Sequence, residues 1–239
     1  MKSTHLKLNG MLVAGADEAG RGAVLGPLVL CVAVCEKEKE RFLKSIGVKD
    51  SKMLSPEKRE ELAAEIVKYC HVHVQKIPAQ RINELMKKGV SLNEIEAIHV
   101  ADALKEIEPE IVEKIDKVYI DAPDPDAIKF THRIRSLLAS DSKISSKLHS
   151  SHKADVIYPI TSAASIIAKV TRDEEIEKIK KELGCDFGTG YPHDEMAINC
   201  IKQNIDNPVL IKYLRSEWST AKRIIAESRF KTTQLKLDF

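Results

Sequence analysis

The chain has 239 residues, of which 43% are hydrophobic and 31% charged, a composition typical of a globular protein with one large domain or one domain plus a small appendage. The longest apolar stretch, at 26–35, is far too short to cross a bilayer, and the first residues lack the apolar core of a signal peptide, so a cytoplasmic protein without a membrane partner is expected. The formal net charge of +2 neither supports nor excludes a nucleic-acid partner, because balanced totals can hide a basic face.

The first half of the chain predicts strands separated by helices. Two apolar runs joined by a glycine-rich turn, at 11–16 and 26–35, are typical of an antiparallel pair of strands. The elements predicted next are a helix at 36–46, a helix opened by Ser55 and Pro56, a strand at 71–77, a short helix from Pro78 to about Gly89, and a helix from Ser91 to about Ile107.

The second half predicts two more strands and then helices alone. The predicted elements are a strand at 118–121, a helix at 125–138, a strand at 145–153, a long helical region at 156–183, a tight loop at 188–192, and helices at 194–205 and 208–227. Pro159 should bend the long helix or delay its start. The small residues at 161–165 permit that helix to pack closely on a sheet.

This order of elements indicates an α/β sheet with a helical C-terminal appendage. We expect a domain at 1–183, an appendage at 184–228, and a tail at 229–239 that lacks a core pattern and should be mobile. The five cysteines are odd in number and contain no C-x-x-C pair, so reduced, buried thiols are expected rather than disulfides or a zinc site.

The segment 15–22, which reads GADEAGRG, is the most unusual in the chain. Asp17 and Glu18 follow an apolar strand, and adjacent side chains of a strand point to opposite faces, so both reach one site only if the chain turns there. Arg21, between two glycines, could meet a phosphate. The alternative is a plain hairpin turn with solvated acids. The segment matches neither a P-loop nor a dinucleotide-binding fingerprint.

Two further acids end or begin predicted core elements. Asp121 closes a strand, where acids of α/β sheets often reach a ligand crevice, although a turn-initiating aspartate is about as common. Asp155 precedes the long helix, a position that taken alone is more typical of an N-cap. Together with Asp17 and Glu18 they form a carboxylate set suited to hard divalent cations, which can support phosphate displacement.

Basic and aromatic side chains are available to hold a substrate. Lys52, Lys153 and Lys169 are candidates, although each by itself is more typical of a surface cation. Tyr191, in the tight loop, could stack on a sugar or base, and its alternative role is core packing. A serine-hydrolase triad is not supported, because no G-x-S-x-G elbow occurs.

The chain resembles type 2 ribonuclease H, in its archaeal and eukaryotic-like branch. The residues that carry this resemblance span about 12–218 and form five motifs: Gly15–Gly22, Asp50-Ser51-Lys52, Tyr119-Ile120-Asp121, Lys153-Ala154-Asp155 continuing through Ser162–Asp173, and Gly188–Pro192. Chance agreement at all five places is remote.

The resemblance implies a ribonuclease H-like mixed five-stranded sheet flanked by helices, with a small helical C-terminal part. It implies an endonuclease that cuts the phosphodiester 5′ of ribonucleotides, in RNA/DNA hybrids and at single ribonucleotides in duplex DNA, leaving a 3′-hydroxyl and a 5′-phosphate by two-metal catalysis. Asp17, Glu18, Asp121 and Asp155 would hold Mg²⁺ or Mn²⁺. The residues implied to bind substrate are Gly20, Arg21 and Gly22 at the 2′-hydroxyl, Tyr191 at the following deoxyribose, and Lys52 and Lys169 at phosphates.

The C terminus departs from a known pattern. Gln234 and Leu237 fit a sliding-clamp binding motif, but Phe239 comes one position early and no second aromatic follows. A sliding clamp is therefore one possible partner of a chain expected to act as a monomer, and a tail without a partner is the alternative.

Two other functions compete with this interpretation. A type 3 ribonuclease H would share the Asp–Glu pair and prefer longer RNA stretches, but Gly20–Gly22 and the Tyr191 loop argue against it. A non-catalytic nucleic-acid-binding module would keep the fold, but four acids would repel phosphates without metal ions.

Overall fold

The computed structural model of the chain describes residues 8–48 and 54–237, with side chains described as far as residue 228. Within these residues one sheet contains five strands: β1 (Leu12–Ala19), β2 (Leu28–Glu36), β3 (Cys70–Ile77), β4 (Ile115–Asp121) and β5 (Leu148–Ser151). Their order is β3-β2-β1-β4-β5, with β1 antiparallel to β2 and parallel to β4, which is parallel to β5. The predicted mixed five-stranded sheet is confirmed.

The helices begin where the sequence supplies caps and prolines. In the described part of the chain they are α1 (Lys39–Ser45), α2 (Pro56–Tyr69), α3 (Ala79–Lys87), α4 (Leu92–Lys105), α5 (Pro109–Lys114), α6 (Ala127–Leu137), α7 (Ala154–Ile157), α8 (Pro159–Leu183), α9 (Glu195–Gln203), α10 (Pro208–Tyr213) and α11 (Ser219–Leu237). At the start of α2 the Ser55 hydroxyl accepts a hydrogen bond from the Lys58 N–H at 3.3 Å, as expected for an N-cap. Pro159 separates α7 from α8, which confirms its predicted effect on the start of the long helix.

The chain divides into two compact units. The sheet unit contains the described residues of 1–19, 29–76 and 92–171, and the helical unit contains those of 20–28, 77–91 and 172–239. The sequence instead places a domain boundary at residue 183, in the last turn of α8. That boundary stays a prediction.

Helices cover both faces of the sheet in the sheet unit. On one face, Ile160, Ala163 and Ile167 of α8 pack with Val13 and Ala33 of the strands in a buried cluster. On the other face, the Thr131 hydroxyl of α6 donates to the Ser150 hydroxyl of β5 at 2.8 Å. The central strands β1 and β2 are buried almost throughout, which explains their nearly continuous apolar sequence.

The C-terminal helices differ from the prediction of a single helix at 208–227. α10 ends at Tyr213 and α11 begins only at Ser219. Between them the backbone of Leu214 pairs with Leu25, and the Arg215 N–H donates to the Val24 carbonyl at 2.9 Å. This pairing with a distant segment interrupts the helix. α11 then continues to Leu237, past residue 228, where the sequence predicts the start of the tail.

One pair of cysteines contradicts the expectation of free thiols. Cys185 and Cys200 form a disulfide, with their Cα atoms 6.4 Å apart. The packing of the helical unit around Phe187 and Ile201 brings the two cysteines together. No local sequence motif predicts this pairing. Cys31, Cys35 and Cys70 are buried free thiols, as predicted.

Candidate active site

Asp17 and Asp121 lie at the ends of two neighbouring parallel strands. β1 and β4 pair through Ala16 and Ile120, so the two acids occupy the next positions at the same edge of the sheet. Asp17 is only 6% exposed, and Asp121 is half-buried. The negative charge of Asp121 raises the pKa of Asp17, so the two carboxylates are within electrostatic range of each other. The fold therefore brings two of the four predicted acids together.

The pKa of Asp17 lies well above its ordinary value. Burial is the largest cause, because a desolvated carboxylate is disfavoured, and the charge of Glu18 is the next. The nearby Ser165 hydroxyl lowers the pKa, the charge of Asp121 raises it, and the Glu18 N–H, which donates to Asp17 Oδ1 at 2.7 Å, lowers it slightly. A bound cation would stabilise the ionised form of such a buried acid among other acids.

Glu18 lies within β1 and not in a turn. The strand continues to Ala19, so the chain does not turn at the two acids. Successive side chains of a strand point to opposite faces, and accordingly Asp17 is buried whereas Glu18 is half-buried. The charge of Glu18 nevertheless acts on Asp17 strongly enough to raise its pKa. The turn itself begins at Gly20.

Asp121 is tied directly to the segment that carries Asp155. Asp121 Oδ1 accepts a hydrogen bond from the Ala154 N–H at 2.6 Å. Asp155 is 3% exposed in α7, and its carbonyl accepts a hydrogen bond from the Ser162 hydroxyl. Lys153, which precedes this pair, adopts a left-handed backbone conformation with φ 57°, which is uncommon for a residue with a side chain. A single hydrogen bond to the backbone of Ala154 therefore connects Asp121 to the residue directly before Asp155.

A stacked pair of tyrosines holds the chain on either side of these acids. Tyr119, two residues before Asp121, stacks on Tyr158, three residues after Asp155, with ring centroids 3.8 Å apart and planes inclined by 12°. His149 of β5 meets both rings edge-on. The stack therefore fixes the position of α7 relative to β4.

Close backbone packing brings α8 to the acids. A Cβ atom on Gly15 of β1 would lie 2.5 Å from the Ile160 carbonyl carbon and from the Thr161 nitrogen, so only glycine fits. The Thr161 hydroxyl donates to the Tyr119 carbonyl at 3.1 Å. This contact explains the small residues at 161–165, and it brings Ser165, one turn further along α8, to Asp17.

The four acids have the ligand type that a hard divalent cation prefers, but their side chains do not form a complete metal-binding site. Carboxylate oxygens are the preferred ligands of Mg²⁺ and Mn²⁺, and the pKa of Asp17 is raised first by burial and then by the negative charges of Glu18 and Asp121. Among the described residues, however, no group of three or more acidic, histidine or cysteine side chains is close enough to hold a metal ion. The shared metal site of Asp17, Glu18, Asp121 and Asp155 therefore stays a prediction.

The predicted substrate-binding loops pair with each other within the helical unit. We call residues 20–26 the glycine loop and residues 188–192 the tyrosine loop. The N–H groups of Val24 and Leu25 donate to the Gly190 carbonyl at 2.8 and 3.2 Å. A Cβ atom on Gly22 would lie 3.7 Å from the ring of Tyr191. Gly20, Arg21, Gly22 and Tyr191 are therefore neighbours, as one substrate-binding surface requires.

Of the remaining predicted binding residues, only Lys169 has a described side chain. Lys169 lies half-buried on α8, and Lys52 lies outside the described residues. Gln234 and Leu237 belong to α11, but their side chains are outside the described part, as is the whole of Phe239.

Some side chains at these sites were not assigned a role from the sequence. Ser165 acts on Asp17; it lies in the stretch of small residues at 161–165 and in the motif at 162–173, neither of which assigned it a role. Arg172 and Arg215 are buried against the glycine loop. Arg172 lies in the motif at 162–173, but no pattern in the sequence indicated that either arginine would contact this loop.

Comparisons with known proteins find one family over most of the chain. The family model described as Ribonuclease HII matches residues 14–221, which contain all four acids and both loops. A Ribonuclease HII of Pyrococcus abyssi (strain GE5 / Orsay) is 45% identical over 235 residues, covering 95% of this chain and 96% of that protein.

Solved structures agree in fold. The ribonuclease H2 of Pyrococcus horikoshii OT3 matches with a TM-score of 0.77 and 40% identity over 92% of this chain and 99% of that one. A chain in the PCNA:RNase HII complex of Archaeoglobus fulgidus matches with a TM-score of 0.76 and 36% identity over 88% of this chain and 95% of that one.

None of the helices in the described residues has the length and apolar character needed to span a membrane.

Proposed function

Because the chain belongs to the ribonuclease HII family, and is therefore a ribonuclease H enzyme, we propose the bond that it cuts. The enzyme hydrolyses the phosphodiester on the 5′ side of a ribonucleotide, in RNA/DNA hybrids and at single ribonucleotides in duplex DNA. The products carry a 3′-hydroxyl and a 5′-phosphate. The observation that carries this proposal is that Asp17 and Asp121 lie at the ends of the neighbouring parallel strands β1 and β4, at the same edge of the sheet.

Asp17, Glu18, Asp121 and Asp155 would hold two Mg²⁺ or Mn²⁺ ions. When bound, two such ions stabilise the attacking and leaving oxygens of a phosphate displacement. Two of these acids have neighbours that act on their carboxylates. The Ala154 N–H orients Asp121 through its 2.6 Å hydrogen bond, and the Ser165 hydroxyl favours the ionised form of Asp17.

The glycine loop and the tyrosine loop would select the substrate. Backbone groups of Gly20, Arg21 and Gly22 would recognise the 2′-hydroxyl, the group that distinguishes RNA from DNA. The ring of Tyr191 would stack on the deoxyribose that follows the ribonucleotide. Lys52 and Lys169 would contact phosphates. Support for this part comes from the direct pairing of the two loops through the Gly190 carbonyl.

Cleavage of defined duplexes tests the proposal. The substrates are a DNA duplex with one embedded ribonucleotide, a continuous RNA/DNA hybrid and an all-DNA duplex, with product ends identified. We expect cleavage 5′ of the ribonucleotide in the first two and none in the third. Preference for long RNA with almost no cleavage at a single ribonucleotide would instead support a type 3 specificity.

A sliding clamp is the proposed protein partner. The related structure from Archaeoglobus fulgidus is a PCNA:RNase HII complex, and Gln234, Leu237 and Phe239 partly match a clamp-binding motif. Deleting residues 232–239 should weaken binding to the cognate clamp by about tenfold or more, a loss of about 1.4 kcal/mol. Cleavage of a short duplex without the clamp should not change. Unchanged clamp affinity would contradict this part of the proposal.

A further inference from the structure

Two arginines of the helical unit are buried beside the glycine loop. Arg172 of α8 is 5% exposed, and Arg215, between α10 and α11, is fully buried. Burying a guanidinium is costly unless its donors are satisfied, and burial alone lowers the pKa of Arg172. The cost of burying both guanidinium groups must therefore be offset by the contacts that they make.

Arg215 holds the backbone of the glycine loop at two places. Its Nη1 donates to the Arg21 carbonyl at 2.8 Å, and its Nε donates to the Gly26 carbonyl at 3.1 Å. Its own backbone N–H donates to the Val24 carbonyl at 2.9 Å. The rigid fork of a guanidinium can bridge two carbonyls in this way, whereas a lysine ammonium is a single point of charge. One side chain thus fixes the peptide of Arg21, the central residue of the proposed 2′-hydroxyl sensor.

Arg172 connects the glycine loop to the tyrosine loop. Its Nη2 donates to the Thr189 carbonyl at 2.6 Å, and its guanidinium carbon lies 5.0 Å from the centre of the Tyr191 ring. Its aliphatic part occupies the space beside Gly20, where an added Cβ would lie 2.6 Å from Arg172 Cδ. Gly20 has φ +84°, a conformation that favours glycine, so both backbone and space require glycine there.

We propose that Arg172 and Arg215 are positioning residues for substrate selection. Arg215 sets the Arg21 peptide, and Arg172 sets the ring of Tyr191 against Gly20–Gly22. This inference rests on the proposed function, because it assigns selection to these two loops. Neither arginine needs to touch the substrate, since each acts through the loop residues that it holds.

The test for Arg172 is a double-mutant cycle with Tyr191. For Tyr191→Ala, Arg172→Lys and the double variant, kcat/KM is measured on a duplex with one ribonucleotide and on a continuous RNA/DNA hybrid. We expect Arg172→Lys to lower the ratio of the first value to the second by about tenfold, because a small misplacement of a positioning group is enough for such a loss. In the Tyr191→Ala background, Arg172→Lys should have almost no further effect on that ratio.

The test for Arg215 uses Arg215→Lys, which keeps the charge but cannot bridge the carbonyls of Arg21 and Gly26. We expect a similar loss of selectivity for the single ribonucleotide, about tenfold. The matched control is Arg223→Lys, on the exposed side of α11, which should keep the selectivity ratio. Far-ultraviolet circular dichroism and thermal unfolding report whether each variant is folded, because the Arg215 guanidinium carbon lies 4.9 Å from the centre of the Trp218 ring and its replacement would change tryptophan fluorescence directly. A variant that unfolds at the assay temperature is compared with the parent at a lower temperature at which it is folded.

The outcomes distinguish failure of the proposed function of the tyrosine loop from failure of the positioning roles of the two arginines. If Tyr191→Ala cleaves single ribonucleotides normally, the proposed function of the tyrosine loop fails. If Tyr191→Ala loses selectivity but folded Arg172→Lys keeps it, or if the two losses multiply in the double variant, the positioning role of Arg172 is overturned. If Arg215→Lys is folded and equally selective, the positioning role of Arg215 is overturned.

Discussion

The carboxylate of Asp121 accepts a hydrogen bond of 2.6 Å from the backbone N–H of Ala154. Through this bond the end of β4 is connected to the start of α7, which carries the buried Asp155. One acid of the candidate site therefore has a structural role in addition to the role of metal ligand proposed for it. The two roles can be separated experimentally.

Asp121→Asn and Asp121→Ala should differ in stability but agree in activity. Asparagine retains an oxygen that can accept from the Ala154 N–H, whereas alanine leaves this partly buried donor without the acceptor. We expect Asp121→Ala to lose about 1–3 kcal/mol of unfolding free energy and Asp121→Asn to lose much less. Both should lose most cleavage activity. Denaturant unfolding in chelator measures the first effect, and equal stability of the two variants would contradict the structural role.

Asp17→Asn should make the metal-free protein more stable near neutral pH while removing activity. The ordinary pKa of an aspartate is 3.8, and that of folded Asp17 is well above it. Between these values the unfolded chain has lost the proton that the folded protein keeps, so the free energy of unfolding falls as pH rises from about 4 through the raised pKa. Asparagine removes this loss, and we expect a gain of at least about 1 kcal/mol at pH 7.

Thermal or denaturant unfolding from pH 4 to pH 8 in chelator checks this expectation. The matched control is Asp206→Asn at an exposed position, which should leave the pH profile of stability unchanged. If Asp17→Asn has the same pH profile as the parent, Asp17 does not titrate as described.

Gly15→Ala should destabilise the protein strongly. The new methyl group would meet backbone atoms of Ile160 and Thr161 at 2.5 Å, and backbone of a packed helix cannot move aside as a side chain can. We expect a loss of about 3 kcal/mol or more. Gly22→Ala is the control for stability, because its nearest neighbour is the ring of Tyr191 at 3.7 Å, and it should change stability by less than about 1 kcal/mol. Equal stability of the two variants would refute the close packing of α8 on β1.

Tyr158→Ala should weaken both the fold and the reaction, whereas Tyr158→Phe should be close to normal. The stack with Tyr119 needs the ring and not the hydroxyl. Loss of this half-buried ring should cost about 2 kcal/mol of stability. It should also lower kcat by about tenfold at a temperature where the variant is folded, because Asp155 precedes the stack by three residues. A folded Tyr158→Ala with normal kcat would show that the stack does not position α7.

Much of the fold could be predicted from local patterns. Apolar runs and turn residues located all five strands, and Ser55, Pro56 and Pro159 marked helix starts correctly. What local patterns could not predict depends on distant partners. The interruption of the last helix arises from the pairing of Leu214 with Leu25, and the disulfide of Cys185 and Cys200 arises from packing of the helical unit.

The candidate site was predicted in part for the same reason. The four acids could be chosen because each adjoins a core element, but the proximity of Asp17 and Asp121 follows from the parallel register of β1 and β4. The resemblance to type 2 ribonuclease H supplied what the pattern alone did not. Arg172 and Arg215 were given no role because their partners are backbone carbonyls, which no sequence pattern identifies.

Metal-dependent cutting at a ribonucleotide is measured directly by cleavage of a DNA duplex with one embedded ribonucleotide, in Mg²⁺ or Mn²⁺ and in excess chelator. We expect a single cut on the 5′ side of the ribonucleotide with either ion, and none in chelator or with Asp17→Asn. Full turnover in chelator, or normal turnover by Asp17→Asn, would show that these acids do not act through bound metal ions.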